Sequence, residues 1–101
     1  MNKNDILNPQ DLYKAILALK TVEECGNLFD DLCTIKEIQD LTQRFAVAKM
    51  LKDGANYQEV CRATGASTAT ISRVNKCLMY GSNGYNNILE RLNGGEDNAN
   101  K

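Results

Sequence analysis

The residues best suited to binding chemistry lie close together between Ser67 and Lys76, where short polar side chains are followed by cations. Short side chains allow a helix to lie deep in the major groove of DNA, while Arg and Lys one or two turns away reach phosphate oxygens. This pattern predicts a DNA-contacting surface. Its candidate residues are Arg62, Ser67, Thr68, Ala69, Thr70, Ser72, Arg73 and Lys76.

The same stretch has the residue spacing of a helix-turn-helix over about residues 57–79. Two helices that cross steeply need a small side chain where their backbones meet, which Cys61 would provide. They also need a turn residue able to adopt positive φ, which Gly65 does at little cost. Ser67 would cap the second helix and leave its first N–H groups open to a phosphate. The alternative is an ordinary helical hairpin with a solvated polar face.

The charge distribution favours DNA binding. The whole chain has 12 basic and 13 acidic residues, and a net charge of −1 argues against binding nucleic acid by bulk charge. Residues 43–80, however, hold six basic and two acidic side chains, a local charge of +4, whereas residues 1–42 hold four Lys and eight acids. The second helix of the predicted helix-turn-helix, from Ser67 to about Met79, would be the reading helix that enters the DNA groove. A basic face around it is expected of a sequence-specific DNA-binding protein with modest nonspecific affinity.

The elements that would position these residues are helices. Thr21 with Glu24, Thr34 with Glu37 and Asn56 with Glu59 each give the capping-box signal of a helix start, and only one proline is present. We therefore predict an all-α domain of about six short helices over residues 9–92. Residues 1–8 would form a flexible arm, and residues 93–101, polar and rich in glycine, a disordered tail.

The helix predicted over about residues 35–53 changes character in its second half, where apolar residues occupy most of its circumference. These residues are Phe45, Val47, Ala48, Met50 and Leu51. A helix that is apolar nearly all round must be covered nearly all round. We therefore predict an intertwined homodimer, whose two-fold symmetry would suit two half-sites on DNA. The alternative is that the other helices of the same chain provide the cover.

Other function classes find little support. The chain has no long apolar run and no basic-then-apolar leader, so we predict a cytoplasmic protein with no membrane partner. Its four cysteines form no C-x-x-C pair and it has no His, so we expect no metal site and interpret the cysteines as buried, reduced thiols. Without His, catalysis would need a paired carboxylate or an activated Cys. No pair of acids has the pattern of a catalytic cleft, and packing explains the cysteines, so we predict no enzyme. A protein–protein interaction module stays an alternative.

Two segments resemble the Trp repressor superfamily, and most closely its subgroup of short Trp-repressor-like regulators. They are CTIKEIQDLTQRFAVAKMLKDG and TGASTATISRVNKCL, and the resemblance covers about residues 10–92. It implies an all-α, intertwined homodimer whose paired helix-turn-helix heads are set for DNA by a small corepressor. It also implies a transcriptional repressor, with amino-acid biosynthesis genes as the expected target and double-stranded operator DNA as the partner.

The resemblance further implies a ligand site. The family holds the ligand carboxylate with an arginine of the reading helix, matched by Arg73, and stacks its ring between that arginine and one matched by Arg44. The ligand amine meets backbone carbonyls near Thr34 of the other subunit. Val74 replaces the glycine against which an indole packs, and Cys77 replaces a serine that helps hold the carboxylate.

A valine at that wall would overpack it by about 1–3 kcal/mol. The resemblance therefore favours a smaller amino acid such as histidine over tryptophan as the corepressor. The alternative is that both arginines contact only DNA phosphates or neighbouring acids, which would make the protein a ligand-independent repressor.

Overall fold

The computed structural model describes residues 3–95, and every regular element in that range is helical. This confirms the all-α fold class. The helices are α1 (Lys3–Ile6), α2 (Pro9–Leu17), α3 (Val22–Leu32), α4 (Ile35–Lys52), α5 (Tyr57–Thr64), α6 (Thr68–Tyr80) and α7 (Gly84–Glu90). A short kinked segment, Arg91–Gly95, follows α7, and its Gly94 backbone is not helical. Helices α2 to α7 correspond to the six predicted ones. Helix α1 is a single turn inside the predicted N-terminal arm, and residues 96–101 of the predicted tail lie outside the described residues.

Capping boxes fix the starts of α4 and α5. At α5, Asn56 Oδ1 accepts from the Glu59 N–H at 2.9 Å and Glu59 Oε1 accepts from the Asn56 N–H at 2.8 Å. Thr34 and Glu37 make the same reciprocal pair at the start of α4, at 3.1 and 2.8 Å. Each box satisfies two backbone donors that have no partner inside the helix. The helix starts predicted from these residue pairs are confirmed.

The chain divides after Ile38 into two compact units. The first contains α1 to α3 and the start of α4. Although α2 and α3 are amphipathic, neither has a buried residue, and within the described part of the chain nothing before Val47 is buried. Leu17 and Val22 are 83% and 90% exposed. The apolar residues of this unit are therefore at most partly covered in a single chain.

The second unit has a core to which α4, α5, α6 and α7 all contribute. Its buried residues are Val47, Ala48, Val60, Ala66, Ile71, Val74 and Leu89. Met50 and Leu51 pack against this core, and Phe45 stays 37% exposed. The expectation that a second copy must cover most of the apolar half of α4 is therefore wrong for Val47 and Ala48, because other helices of the same chain bury them.

The interpretation of the cysteines as buried thiols is also wrong in part. All four are free, but Cys61 and Cys77 are exposed, and Cys25 and Cys33 are half-buried. In α5, Val60 faces the core, and the next residue of a helix lies about 100° further round, which turns Cys61 outward. The small buried side chain at the turn is instead Ala66, which is 1% exposed. None of the described helices is long and apolar enough to cross a membrane.

Candidate nucleic-acid interface

Helices α5 and α6 form the predicted helix-turn-helix, and Gly65 makes the turn between them. Gly65 is left-handed, with φ +73° and ψ 5°, and its N–H donates to the Cys61 carbonyl at 2.9 Å, which closes the end of α5. A Cβ added here would meet no atom within 4 Å, so backbone conformation and not space favours glycine. The tight turn lets α6 begin at Thr68, three residues after Gly65.

Ser67 caps α6 as predicted. Its backbone is extended, and its Oγ accepts from the Thr70 N–H at 3.2 Å and donates to Thr70 Oγ1 at 3.2 Å. The cap satisfies one of the first N–H groups of α6, and the others stay at the exposed end of the helix, where the dipole favours an anion. The start of α6 can therefore receive a DNA phosphate.

The predicted DNA-contacting residues lie on the solvent side of this helix pair. Ile71 and Val74 are buried in the core, so helical periodicity turns the opposite side of α6 outward. Thr70, whose hydroxyl bonds Ser67, is half-buried. The others are exposed: Arg62, Ser67, Thr68, Ala69, Ser72, Arg73 and Lys76. The surface is thus polar and cationic over an apolar base.

A shallow cleft of about 330 Å³ joins α5 to the start of α6, and Arg62 and Thr68 both line it. Tyr57 and Gln58, which also line it, were missed by the sequence analysis. Both are exposed in the first turn of α5. Their signal was their position beside the helix cap, where polar side chains of a helix-turn-helix can lie near the DNA backbone.

The residues assigned to a ligand have different environments. Arg44 and Arg73 are exposed, on α4 and α6. Cys77 is exposed and lines a cavity of about 490 Å³ whose other walls are mostly apolar: Phe45, Ser82, Gly84, Tyr85 and Ile88. Val74 is 2% exposed and belongs to the core. Thr34 caps α4 in the first unit.

The C-terminal end of the reading helix is linked to α4 through α7. Asn86 Nδ2 donates to the Leu78 carbonyl at 2.8 Å, and Asn86 Oδ1 accepts from Lys52 Nζ at 2.8 Å. Lys52 also lies 3.8 Å from Glu90 Oε2, an exposed ion pair that contributes little. The asparagine amide therefore bridges the backbone of α6 and the last turn of α4.

Known proteins resemble this chain over most of its length. The family model for the Trp repressor protein matches residues 8–93. The protein YerC of Bacillus subtilis, itself uncharacterized, is 56% identical over 81 residues, which are 80% of this chain and 78% of that protein. The crystal structure of a putative Trp repressor from Staphylococcus aureus has a TM-score of 0.82 and 47% identity, over 92% of this chain and 96% of that one. A TrpR-like protein from Eubacterium eligens has a TM-score of 0.81 and 48% identity, over 90% and 96%.

Proposed function

This chain belongs to the Trp repressor family, and on that premise we propose that it is a sequence-specific, DNA-binding repressor of transcription. The family is one of DNA-binding regulators that act as dimers. The observation that carries the proposal is the first half of α6, whose exposed side chains are short. Ser67 caps this half of the helix, and Ile71 and Val74 on its opposite side are buried in the core. Such a helix can enter a major groove without steric conflict.

The side chains of this surface divide by chemistry. Thr68, Ala69 and Ser72 are short and exposed in the first five residues of α6, which suits them to base edges. Arg73 and Lys76 follow within the next turn, and they supply phosphate contacts together with Arg62 of α5. Sequence preference would therefore come from the start of α6, and general affinity from its cations.

The working unit that we propose is a homodimer. Leu17, Val22 and Ile35 are 83%, 90% and 78% exposed, and no residue of α2 or α3 is fully buried in a single chain. Exposed apolar surface on this scale marks an association site in a soluble protein. A second copy is the occupant that symmetry favours, because two reading heads related by a two-fold axis match two half-sites of an operator.

We further propose that the repressor responds to an amino-acid-like corepressor and controls amino-acid biosynthesis genes. Arg44 and Arg73 are exposed guanidinium groups, and such a fork pairs well with a carboxylate. Histidine is the favoured ligand over tryptophan on the resemblance, in which Val74 and Cys77 take the places of a glycine and a serine of the tryptophan-binding pattern. The Val74 side chain itself lies in the core. A ligand-independent repressor is the second candidate, and the exposure of both arginines also suits phosphate contacts.

Selection of bound sequences from random double-stranded DNA tests the proposal directly. The full chain is used, with and without a panel of the twenty amino acids. We expect one symmetric motif with two half-sites to be enriched, and a Thr68→Ala variant to enrich an altered motif. An amino acid that increases the enrichment of this motif would identify the class of corepressor. Equal enrichment of the motif without any amino acid would favour the ligand-independent candidate. Failure to enrich any sequence would refute DNA recognition and leave an interaction module on this scaffold.

A further inference from the structure

Gln43 connects the long helix to the turn of the helix-turn-helix. Its side-chain Nε2 donates to the backbone carbonyl of Thr64 at 3.2 Å, across 21 residues of sequence. Thr64 is the last residue of α5, and the final carbonyls of a helix have no partner within it. Both residues are half-buried, so this carbonyl has reduced access to water. Gln43 therefore satisfies a backbone group that the helix itself cannot satisfy.

The turn around Thr64 is otherwise closed on itself. Thr64 Oγ1 donates to the Val60 carbonyl at 2.7 Å and accepts from the Ala66 N–H at 3.1 Å. These bonds fix the conformation of the turn but do not fix its orientation relative to α4. The bond from Gln43 does reach α4, and it is directional.

Apolar packing alone would leave the orientation of this turn on α4 loosely defined, and the other polar link between the reading head and α4, the Asn86 amide, lies at the far end of α6. Val47 and Ala48 of α4 share one core with Val60 and Ile71 of the reading head. Burial of apolar surface is non-directional and resists separation more than it resists small rotations. A hydrogen bond loses strength as its angle departs from linear, so it restrains rotation.

We propose that Gln43 is a positioning residue, which sets the orientation of the helix-turn-helix on α4 and thereby the spacing of the two half-sites that a dimer binds best. The inference rests on the proposed function, because a preferred spacing exists only if two copies bind DNA together. Gln43 acts through Thr64, and its own contact with DNA is not required.

The test compares the full-length protein with two variants of similar side-chain volume. Gln43→Met has no N–H to donate, and Gln43→Glu, ionised at neutral pH, turns an acceptor toward the Thr64 carbonyl. Gln39→Met is the matched control, since Gln39 is exposed one turn earlier on the same helix. Equilibrium affinity is measured for the operator obtained by selection and for operators with one base pair added or removed between the half-sites.

Wild-type protein and Gln39→Met are expected to prefer the parent spacing. Gln43→Met should lose about 2- to 12-fold in affinity for the parent operator, as expected for one net hydrogen bond. It should lose less for the altered operators, so the ratio between spacings moves toward one. Gln43→Glu should show the same change in ratio, although its added negative charge lowers affinity for all DNA. If the methionine variant does not fold, the glutamate variant carries the same test.

An equal loss at every spacing would overturn the inference, because it would mean that Gln43 only stabilises the fold. Unchanged affinity of the variants at every spacing would overturn it as well, and so would a wild-type protein that binds its operator with no preferred spacing. These results differ from failure of the proposed function, in which wild-type protein binds no selected DNA at all. Thermal unfolding of each variant at one protein concentration separates loss of stability from loss of orientation.

Discussion

Replacing Gly65 by Ala should destabilise the protein although space for the methyl group is open. An L-residue at φ +73° costs roughly 1–2 kcal/mol, and the stiffer unfolded chain returns about 0.4–1 kcal/mol. The net loss is about 1 kcal/mol, because no atom lies within 4 Å of the added Cβ and no packing term enters. Gly65→Asn should lose only a few tenths of a kcal/mol, since asparagine tolerates the left-handed region.

Gly26 provides the matched control with the opposite sign. It lies inside α3 and also has no atom within 4 Å of a built Cβ, but its backbone is helical. Gly26→Ala should therefore stabilise by about 0.5–1 kcal/mol. Thermal unfolding at fixed protein concentration should separate the two alanine variants by several degrees. Equal midpoints, or an asparagine variant no more stable than Gly65→Ala, would refute the conformational explanation of this turn.

Three further predictions concern assembly and binding. The protein should sediment with twice the 11.2 kDa mass of one chain, and a folded species of one chain at micromolar concentration would contradict this. If a second copy covers the Phe45 ring, Phe45→Ala should lower the free energy of unfolding by roughly 3–5 kcal/mol, and the unfolding midpoint should depend on protein concentration. Thr68→Ala should change sequence preference, while Lys76→Ala should weaken binding to all DNA and flatten its salt dependence, and equal effects on every sequence would contradict that division. Calorimetry should detect binding of a small amino acid that Arg73→Ala abolishes, with operator DNA tightening it by roughly 5- to 150-fold; no heat for any amino acid would leave a ligand-independent repressor.

The helix boundaries were predictable because their signals are local. A cap joins residues three apart, so Asn56 and Glu59 specify the start of α5 without reference to the rest of the chain. The exposed side of α6 was predictable for a similar reason, since the buried Ile71 and Val74 fix its rotation. Local periodicity therefore identified most of the candidate DNA surface.

The errors concern features that depend on distant parts of the chain. Periodicity indicated that Val47 needed cover but not that the core completed by Leu89, 42 residues later, would supply it. Cys61 was assigned to the helix crossing from its size, whereas the neighbouring Val60 already occupies the inward position of α5. The bond from Gln43 to Thr64 has no sequence signal, because a polar residue on a helix usually faces water.

The burial of Val74 changes how ligand preference has to be tested. With 2% exposure its side chain occupies the core, so Val74→Gly would remove buried methyl groups and place glycine inside α6. Lost ligand binding in that variant would not distinguish a changed ligand site from a disturbed helix-turn-helix. Cys77 is exposed and borders the cavity, so Cys77→Ser restores the serine of the tryptophan-binding pattern without removing a core side chain. If the site holds a carboxylate, the added hydroxyl should tighten binding while the unfolding midpoint stays constant. An unchanged affinity in a stable Cys77→Ser protein would argue that this position does not face the ligand.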